Sequence, residues 1–334
     1  MILVTGATGI LGRVIVLELL KRGKTVRATK RKSSNLEEVK NSFRFYTENP
    51  NEYFEKINWI DVDFDNLNSL EKALEGVEEV YHCAAKVSFH PNDEKKMYHT
   101  NIEGTTQLLY ACENSSVKKF LFVSSIAVLD GFNENGELDE SSDFNPKIDH
   151  SAYAISKHFA EMEVWRASAE GLNTVIVNPG LIIGSGNWNE SSGTLFKELG
   201  ENNYTFSGGT SYVDVRDVAK ISVELMGKNI FAERFILISE NKKYEEIANS
   251  IKQKLGKPAV KIVPNNLLKV AVFLNSILGW LISPLKMANK VNAKSVTEFN
   301  KISNQKIKEK LNYEFISVEE SLAFHVENYI KSNK

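Results

Sequence analysis

Cysteine is almost missing from this chain: Cys83 and Cys112 are the only two in 334 residues, and they match no metal or redox spacing. That excludes a disulfide scaffold, makes a metal centre unexpected, and favours a reducing compartment, so a cytoplasmic protein is expected. An excess of charge is missing too. Lys and Arg number 41 against 43 Asp and Glu, a formal net charge of −2, and no nucleic-acid partner is expected from that balance. No apolar leader precedes the run Ile2-Leu3-Val4, so no signal peptide is expected. No apolar run reaches the roughly 20 residues of a membrane span. The best candidate, Leu267 to Ile282, is interrupted by Lys269, Asn275 and Ser276. We read it as a buried helix of a smaller lobe, with a membrane-facing patch as the less favoured alternative. Internal repeats and low-complexity tracts are also absent.

What is present begins at the first residue. Ile2 to Val4 suits a strand buried on both faces. Gly6, Gly9 and Gly12 follow at the spacing GxxGxxG, and Leu11 to Arg22 reads as a helix stopped by Gly23. A strand, a tight glycine turn and a helix N-terminus make an anion site, because free backbone N–H groups and the positive end of the helix dipole point at the same place. In this context the segment Gly6, Thr8, Gly9, Ile10, Leu11, Gly12 is expected to cradle the pyrophosphate of a dinucleotide.

Strand and helix patterns then alternate. Lys24–Thr29, Ile57–Phe64, Val77–Cys83, Val117–Val123 and Leu172–Val177 read as strands. Leu67–Leu74, Asp93–Glu113 and Ser151–Glu170 read as helices, and Ser33–Lys56 as a polar, partly helical insertion. The alternation gives an α/β class: a doubly wound parallel sheet of the Rossmann type, with ligands at the carboxyl ends of the strands. Regularity breaks after Gly180. We expect residues 1–180 and 211–240 to form the nucleotide-binding domain. Residues 181–210 and 241–334 are expected to form a smaller, mostly helical substrate lobe over the cleft, with a short helix at Thr194–Leu199.

Only Tyr153, of 11 tyrosines, has a lysine four residues on, at Lys157. On a helix this spacing puts both side chains on one face. Chance supplies about one such pair in a chain like this, so position carries the weight. The pair opens the helix after the fifth strand, whose end carries Ser125. A phenol is a weak acid, with a pKa of about 10. A nearby ammonium favours the phenolate and brings it into range for giving a proton to an alkoxide as hydride arrives. Ser125 would hydrogen-bond the carbonyl oxygen and aim it.

TGATGILG at 5–12, HCAAKVS at 82–88, NIEGT at 101–105, FVSSIAV at 122–128, YAISK at 153–157, NPG at 178–180 and YVDVRDVA at 212–219 occur in one order. Together they resemble the extended short-chain dehydrogenase/reductases, in the branch similar to dihydroflavonol-4-reductases and 3β-hydroxysteroid dehydrogenases. The resemblance implies the Ser125, Tyr153 and Lys157 roles given above and adds Lys157 as a hold on the nicotinamide ribose. It implies that Asn101 holds a water in a proton relay to Lys157, and that Asp63 and Phe64 lie on the adenine side. From the residues alone, Asp63 is equally a turn or helix-cap residue. Ala84 and Ala85, small enough for close approach, and Pro179 complete the expected cofactor contacts. Ile126-Ala127 follows Ser125 where sugar 4,6-dehydratases of the superfamily carry Asp-Glu, so dehydration is not expected.

The favoured reading is an NADP-dependent oxidoreductase acting on a carbonyl or secondary alcohol. A sugar-nucleotide epimerase and a non-catalytic cofactor sensor are the alternatives. NADP is preferred because Lys30-Arg31-Lys32 stands after the second strand, with no acidic residue before Glu37 to take the ribose hydroxyls. Arg31 offers a planar fork for a 2′-phosphate and Lys32 a point charge, while NAD remains open. The partner expected is a small carbonyl or alcohol substrate, and a homodimer is left open. His90, His150, Trp188 and Tyr204 could reach the cleft, although packing or surface roles suit each better.

Overall fold

The computed structural model describes residues 1–188, 193–278 and 283–333. The first apolar run forms β1 (Ile2–Thr5), buried at all its positions. β2 (Val26–Lys30), β3 (Asn58–Asp61), β4 (Glu79–His82), β5 (Lys119–Val123) and β6 (Asn173–Pro179) follow. The chain then makes β7 (Leu181–Ile183), β8 (Tyr204–Thr205) and β9 (Gly209–Asp214) before β10 (Glu233–Leu237) rejoins the main sheet. That sheet has seven strands in the order β10-β6-β5-β4-β1-β2-β3, every neighbouring pair parallel. The order reverses between β1 and β4, and such a switch point opens a crevice at the carboxyl ends of the strands.

Helices cover both faces, as an all-parallel sheet requires. On one face the helix Ile10–Lys21 packs against Val215–Gly227 over Val4, Val26 and Val177. On the other, helices Leu67–Leu74, Gly104–Glu113 and Ala152–Ala169 bury Leu70, Leu108 and Val164 over Leu3, Phe120 and Ile176. The long helix Ala152–Ala169 starts where Ser151 accepts a hydrogen bond from the Ala154 amide, as an N-cap serine does.

Several boundaries differ from the sequence reading. β3 is shorter than Ile57–Phe64, because it is an edge strand with exposed ends and has one neighbour to pair with. The helix expected over Asp93–Glu113 is broken by a π turn at His99–Glu103, which buries Asn101. The insertion 33–56 is partly helical as expected but is docked to the core. Val39 and Phe43 are 1 % exposed against the first helix, and burying one such side chain contributes roughly 1.5–3 kcal/mol.

Among the described residues, two small sheets lie outside the main one. β11 (Glu240–Lys243), β9 and β7 form one, and β12 (Lys261–Ile262) pairs with β8 in the other. A separate apolar cluster beside them joins Ile183, Phe196, Tyr212, Ile247, Ile251 and Leu322. The short helix expected in 194–199 is present as Thr194–Glu201. The apolar helix runs Asn265–Leu278, and residues 279–282 of the expected segment lie outside the described residues. The expectation that it is buried is corrected: none of residues 265–277 is buried.

Candidate active site

The glycine turn sits at the switch point. Gly6 has φ +63°, and a Cβ there would stand 2.6 Å from the Ala84 amide nitrogen at the end of β4. Only glycine allows that backbone and that approach together. Gly9 is the N-cap of the first helix, and no side chain caps the first turn. The N–H groups of that turn therefore have no partner within the helix and no side-chain acceptor. A pyrophosphate fits what the turn offers: bare N–H groups, a positive dipole end, no acidic residue in the first turn and no Cβ in the way.

Two residues that the sequence reading passed over brace this turn. Arg13, 1 % exposed, donates to the carbonyls of Gly9, at 3.3 Å, and Thr8. It also makes a two-pronged ion pair with Glu38, at 2.7 and 2.8 Å. A charged residue inside the otherwise apolar run from Ile10 to Leu17 was the available signal. His82, at the end of β4, joins the Thr5 hydroxyl at 2.6 Å and the Thr105 hydroxyl at 3.0 Å. Burial, with Lys157 nearby, holds its pKa at about 3.

At the end of β2, Lys30 is tied to Asp61 at 2.6 Å. Arg31 and Lys32 are exposed, and among the described residues neither has an ion-pair partner. Asp63 is exposed and accepts from the Asp65 amide at 3.1 Å, which is its turn role. Phe64 is half-buried, its ring centroid 6.0 Å from that of His82. Ala84 donates its amide to Thr5 at 3.3 Å, Ala85 is exposed, and Pro179 is buried at the end of β6.

Ser125, just past the end of β5, lies close enough to the Tyr153 phenol to oppose the rise in its pKa, and Lys157 follows one helical turn later. Ser125 also caps a short turn by accepting from the Ala127 amide at 3.1 Å. Lys157 is 2 % exposed. Its ammonium donates to the Val123 carbonyl at 2.6 Å and lies 4.4 Å over the Phe122 ring. Burial lowers its pKa to about 8, while Glu161 and Cys83 pull the other way. The expected lowering of the Tyr153 pKa by Lys157 is absent: burial raises the phenol above its ordinary value, and only Ser125 opposes it.

Asn101 uses both ends of its amide as a strut. It accepts from the Lys86 amide at 2.7 Å and donates to the Lys86 carbonyl and the Ser156 hydroxyl, each at 2.9 Å. The loop after β4 is thereby fixed to the Tyr153 helix. One turn past Lys157, buried Glu161 accepts from Ser124 at 2.6 Å, Asn178 at 3.1 Å and Arg234 at 3.3 Å. Arg234 also holds the carbonyls of Glu140 and Ser142, so the long 126–150 loop is pinned here. The i, i+4, i+8 spacing of Tyr153, Lys157 and Glu161 could have flagged this carboxylate.

The four candidates for reaching the cleft sit elsewhere or pack. His150 stacks on Phe144 with centroids 4.0 Å apart. Trp188 packs on Phe45, Phe196 and Tyr329, His90 caps a turn, and Tyr204 is exposed on β8.

Residues 2–235 match the model of the NAD dependent epimerase/dehydratase family. The chain is 29% identical to the sterol demethylase protein B of Methylococcus capsulatus, over 83% of this chain and 81% of that protein. It is 28% identical to a putative dihydroflavonol 4-reductase of Synechocystis, over 77% and 73% of the two. The solved structure of gox2253 superposes with a TM-score of 0.83 at 24% identity, over 99% of this chain and 98% of that one, which shows the shared fold. The chain therefore belongs to the NAD-dependent epimerase/dehydratase family, in the dihydroflavonol-4-reductase-like branch of the extended short-chain dehydrogenase/reductases.

Proposed function

We propose that this protein is an NADP-dependent oxidoreductase that reduces a carbonyl of a small organic substrate, or oxidises the matching secondary alcohol. The observation that carries the reading is that Ser125, just past the end of β5, lies beside the Tyr153 phenol, with Lys157 one turn further along the helix that carries Tyr153. The Ser/Tyr hydroxyl pair suits a carbonyl oxygen, which needs one donor to polarise it and one acid to protonate it. Bound NADPH supplies the hydride. Ser125 orients the oxygen and Tyr153 gives it the phenolic proton. Lys157 holds the nicotinamide ribose. Asn101 keeps the loop after β4 in place and, on the family pattern, holds the water through which Lys157 is reprotonated.

The backbone of Gly6 and of Thr8 to Gly12 would take the pyrophosphate. Asp63 and Phe64 would flank the adenine, and Ala84, Ala85 and Pro179 would line the approach. Arg31 and Lys32 favour NADP over NAD because both are exposed and neither is spent on a carboxylate, unlike Lys30. Incubation with NADPH and a panel of aldehydes and ketones tests the reading. Net cofactor oxidation supports it. Isomerisation of a sugar nucleotide without net oxidation would mark an epimerase, and binding without turnover a sensor. Tyr153→Phe should lower kcat by at least a hundredfold while leaving cofactor affinity within about twofold. Near-normal turnover by that variant would remove Tyr153 from the reaction.

A further inference from the structure

The helix Asn265–Leu278 breaks the usual rule that an apolar helix is covered. Leu267, Val270, Phe273 and Leu274 are 59%, 52%, 63% and 39% exposed. They fall at steps of three, three and one residue, which gathers them on one side of a helix. Its main neighbours are Ser283–Met287 and the helix Lys290–Thr297, and these leave that side open. A monomeric soluble protein seldom presents such a cluster without a use for it.

The charge around the helix selects the occupant. Residues 247–297 contain eight lysines and no Asp, Glu or Arg, in a chain whose formal net charge is −2. Lys254, Lys261, Lys269 and Lys290 are exposed, and among the described residues none of them has an ion-pair partner. A polyanion such as nucleic acid would use the lysines but not the apolar side, and an apolar protein groove would not need the lysines. A bilayer with anionic headgroups uses both. At 14 residues the helix is roughly 21 Å long, too short to cross a hydrocarbon core of about 30 Å. It suits lying in the interface plane with its apolar side in the acyl boundary and Lys269 and the flanking lysines among the headgroups.

We infer that the helix Asn265–Leu278, with the lysines flanking it, docks this protein on an anionic lipid surface. The docking side is tied to the active site. Asn292, on the neighbouring helix, donates to the Phe89 carbonyl at 3.2 Å. The Phe89 ring, 52% exposed, meets Tyr153 edge-on with centroids 6.1 Å apart. Val87 and Met287 are exposed nearby in the same connected segments. Docking therefore stands independently of the proposed chemistry, yet it brings the Tyr153 side of the cleft close to the lipid.

Flotation of the full chain with phosphatidylcholine vesicles, with and without phosphatidylglycerol, tests this. Binding is expected to the mixed vesicles, to weaken with salt, and to be slight on phosphatidylcholine alone. Phe273→Glu and Val270→Glu, both at exposed positions, should each reduce binding at least tenfold with unchanged thermal unfolding. Lys269→Glu and Lys290→Glu should each cost more than fivefold on anionic vesicles, the loss expected from deleting a single charge near the surface. Tyr153→Phe should float as the wild type does, which separates this result from any failure of the oxidoreductase reading. The inference is overturned if the wild type does not float with anionic vesicles, or if Phe273→Glu floats equally well. It is also overturned if light scattering shows a dimer that Phe273→Glu dissociates while vesicles remain unbound, for then a second copy covers the helix.

Discussion

Replacing Glu161 by Gln removes one negative charge from beneath Lys157 with almost no change of volume. In the wild type the carboxylate accepts from Ser124, Asn178 and Arg234. A glutamine keeps one acceptor oxygen and turns an NH2 group toward donors. Arg234 is not stranded, because the Glu140 and Ser142 carbonyls and Asp143 still hold it. The loss is therefore about one charge-assisted hydrogen bond, roughly 2–3 kcal/mol. For a chain of this length that lowers Tm by about 3–4 °C. The second effect is electrostatic. Glu161 opposes the fall in the Lys157 pKa, which burial brings to about 8. Without that carboxylate the ammonium is lost at lower pH. If charged Lys157 supports reduction, wild-type kcat/KM falls as pH rises through about 8, and in Glu161→Gln that limb moves toward acid. Stopped-flow or steady-state reduction assays from pH 5.5 to 9.5, with thermal unfolding in parallel, measure both. A lowered Tm with an unmoved basic limb would show that Glu161 only holds the fold, and the electrostatic argument would fail.

Three further outcomes follow from the site. Arg31→Ala should weaken NADPH binding roughly ten- to hundredfold and leave NADH binding nearly unchanged, as read by fluorescence titration; equal affinities in the wild type would reduce the basic turn to a solvated surface. Gly6→Ala forces a Cβ to within 2.6 Å of the Ala84 backbone at a positive φ. It should cost about 1–3 kcal/mol of stability and lower cofactor affinity at least tenfold by calorimetry. His82 titrates at about 3 in the fold against about 6.5 when unfolded. The unfolded state binds the proton first, so its contribution is whole above pH 6.5 and is lost as pH falls toward 3, by up to about 5 kcal/mol. His82→Gln should flatten that part of the acid unfolding curve, and an unchanged curve would place the acid sensitivity elsewhere.

What the sequence made legible is what local chemistry dictates. The glycine turn needs three bare positions, a strand before it and a helix after it, and all of that lies within Met1 to Lys21. The Tyr153/Lys157 pair sits on a single helix, so its shared face follows from spacing alone. The alternating pattern made the parallel, doubly wound sheet readable too, since consecutive parallel strands joined by helices leave few arrangements. The unread part depends on partners far apart in the chain. Arg13 is a brace because Glu38 comes from the insertion after β2, 25 residues on. His82 is neutral and fixed because Thr5 and Thr105 flank it from β1 and from the helix Gly104–Glu113. No spacing rule announces either contact.

The apolar helix shows the same limit from the opposite side. Its composition in isolation equally suits a core helix and a surface one, because hydrophobicity reports what a segment avoids and not what covers it. The deciding fact is that the nearby apolar cluster closes without it: Ile183, Phe196, Tyr212, Ile247, Ile251 and Leu322 pack among themselves and against Val318 and Val326. Leu267, Val270, Phe273 and Leu274 have no place in that cluster. Those side chains then remain as surface, and the run of lysines without a carboxylate gives that surface one sign of charge. The same reasoning explains why the 126–150 loop, polar and long enough to suggest mobility, is held. Leu138 exchanges backbone hydrogen bonds with Lys301 and Ser303 at 2.9 and 2.8 Å, and Arg234 closes its far end. The C-terminal segment thus reaches back to the loop that follows Ser125, and the two regions of least regular sequence are fastened to each other.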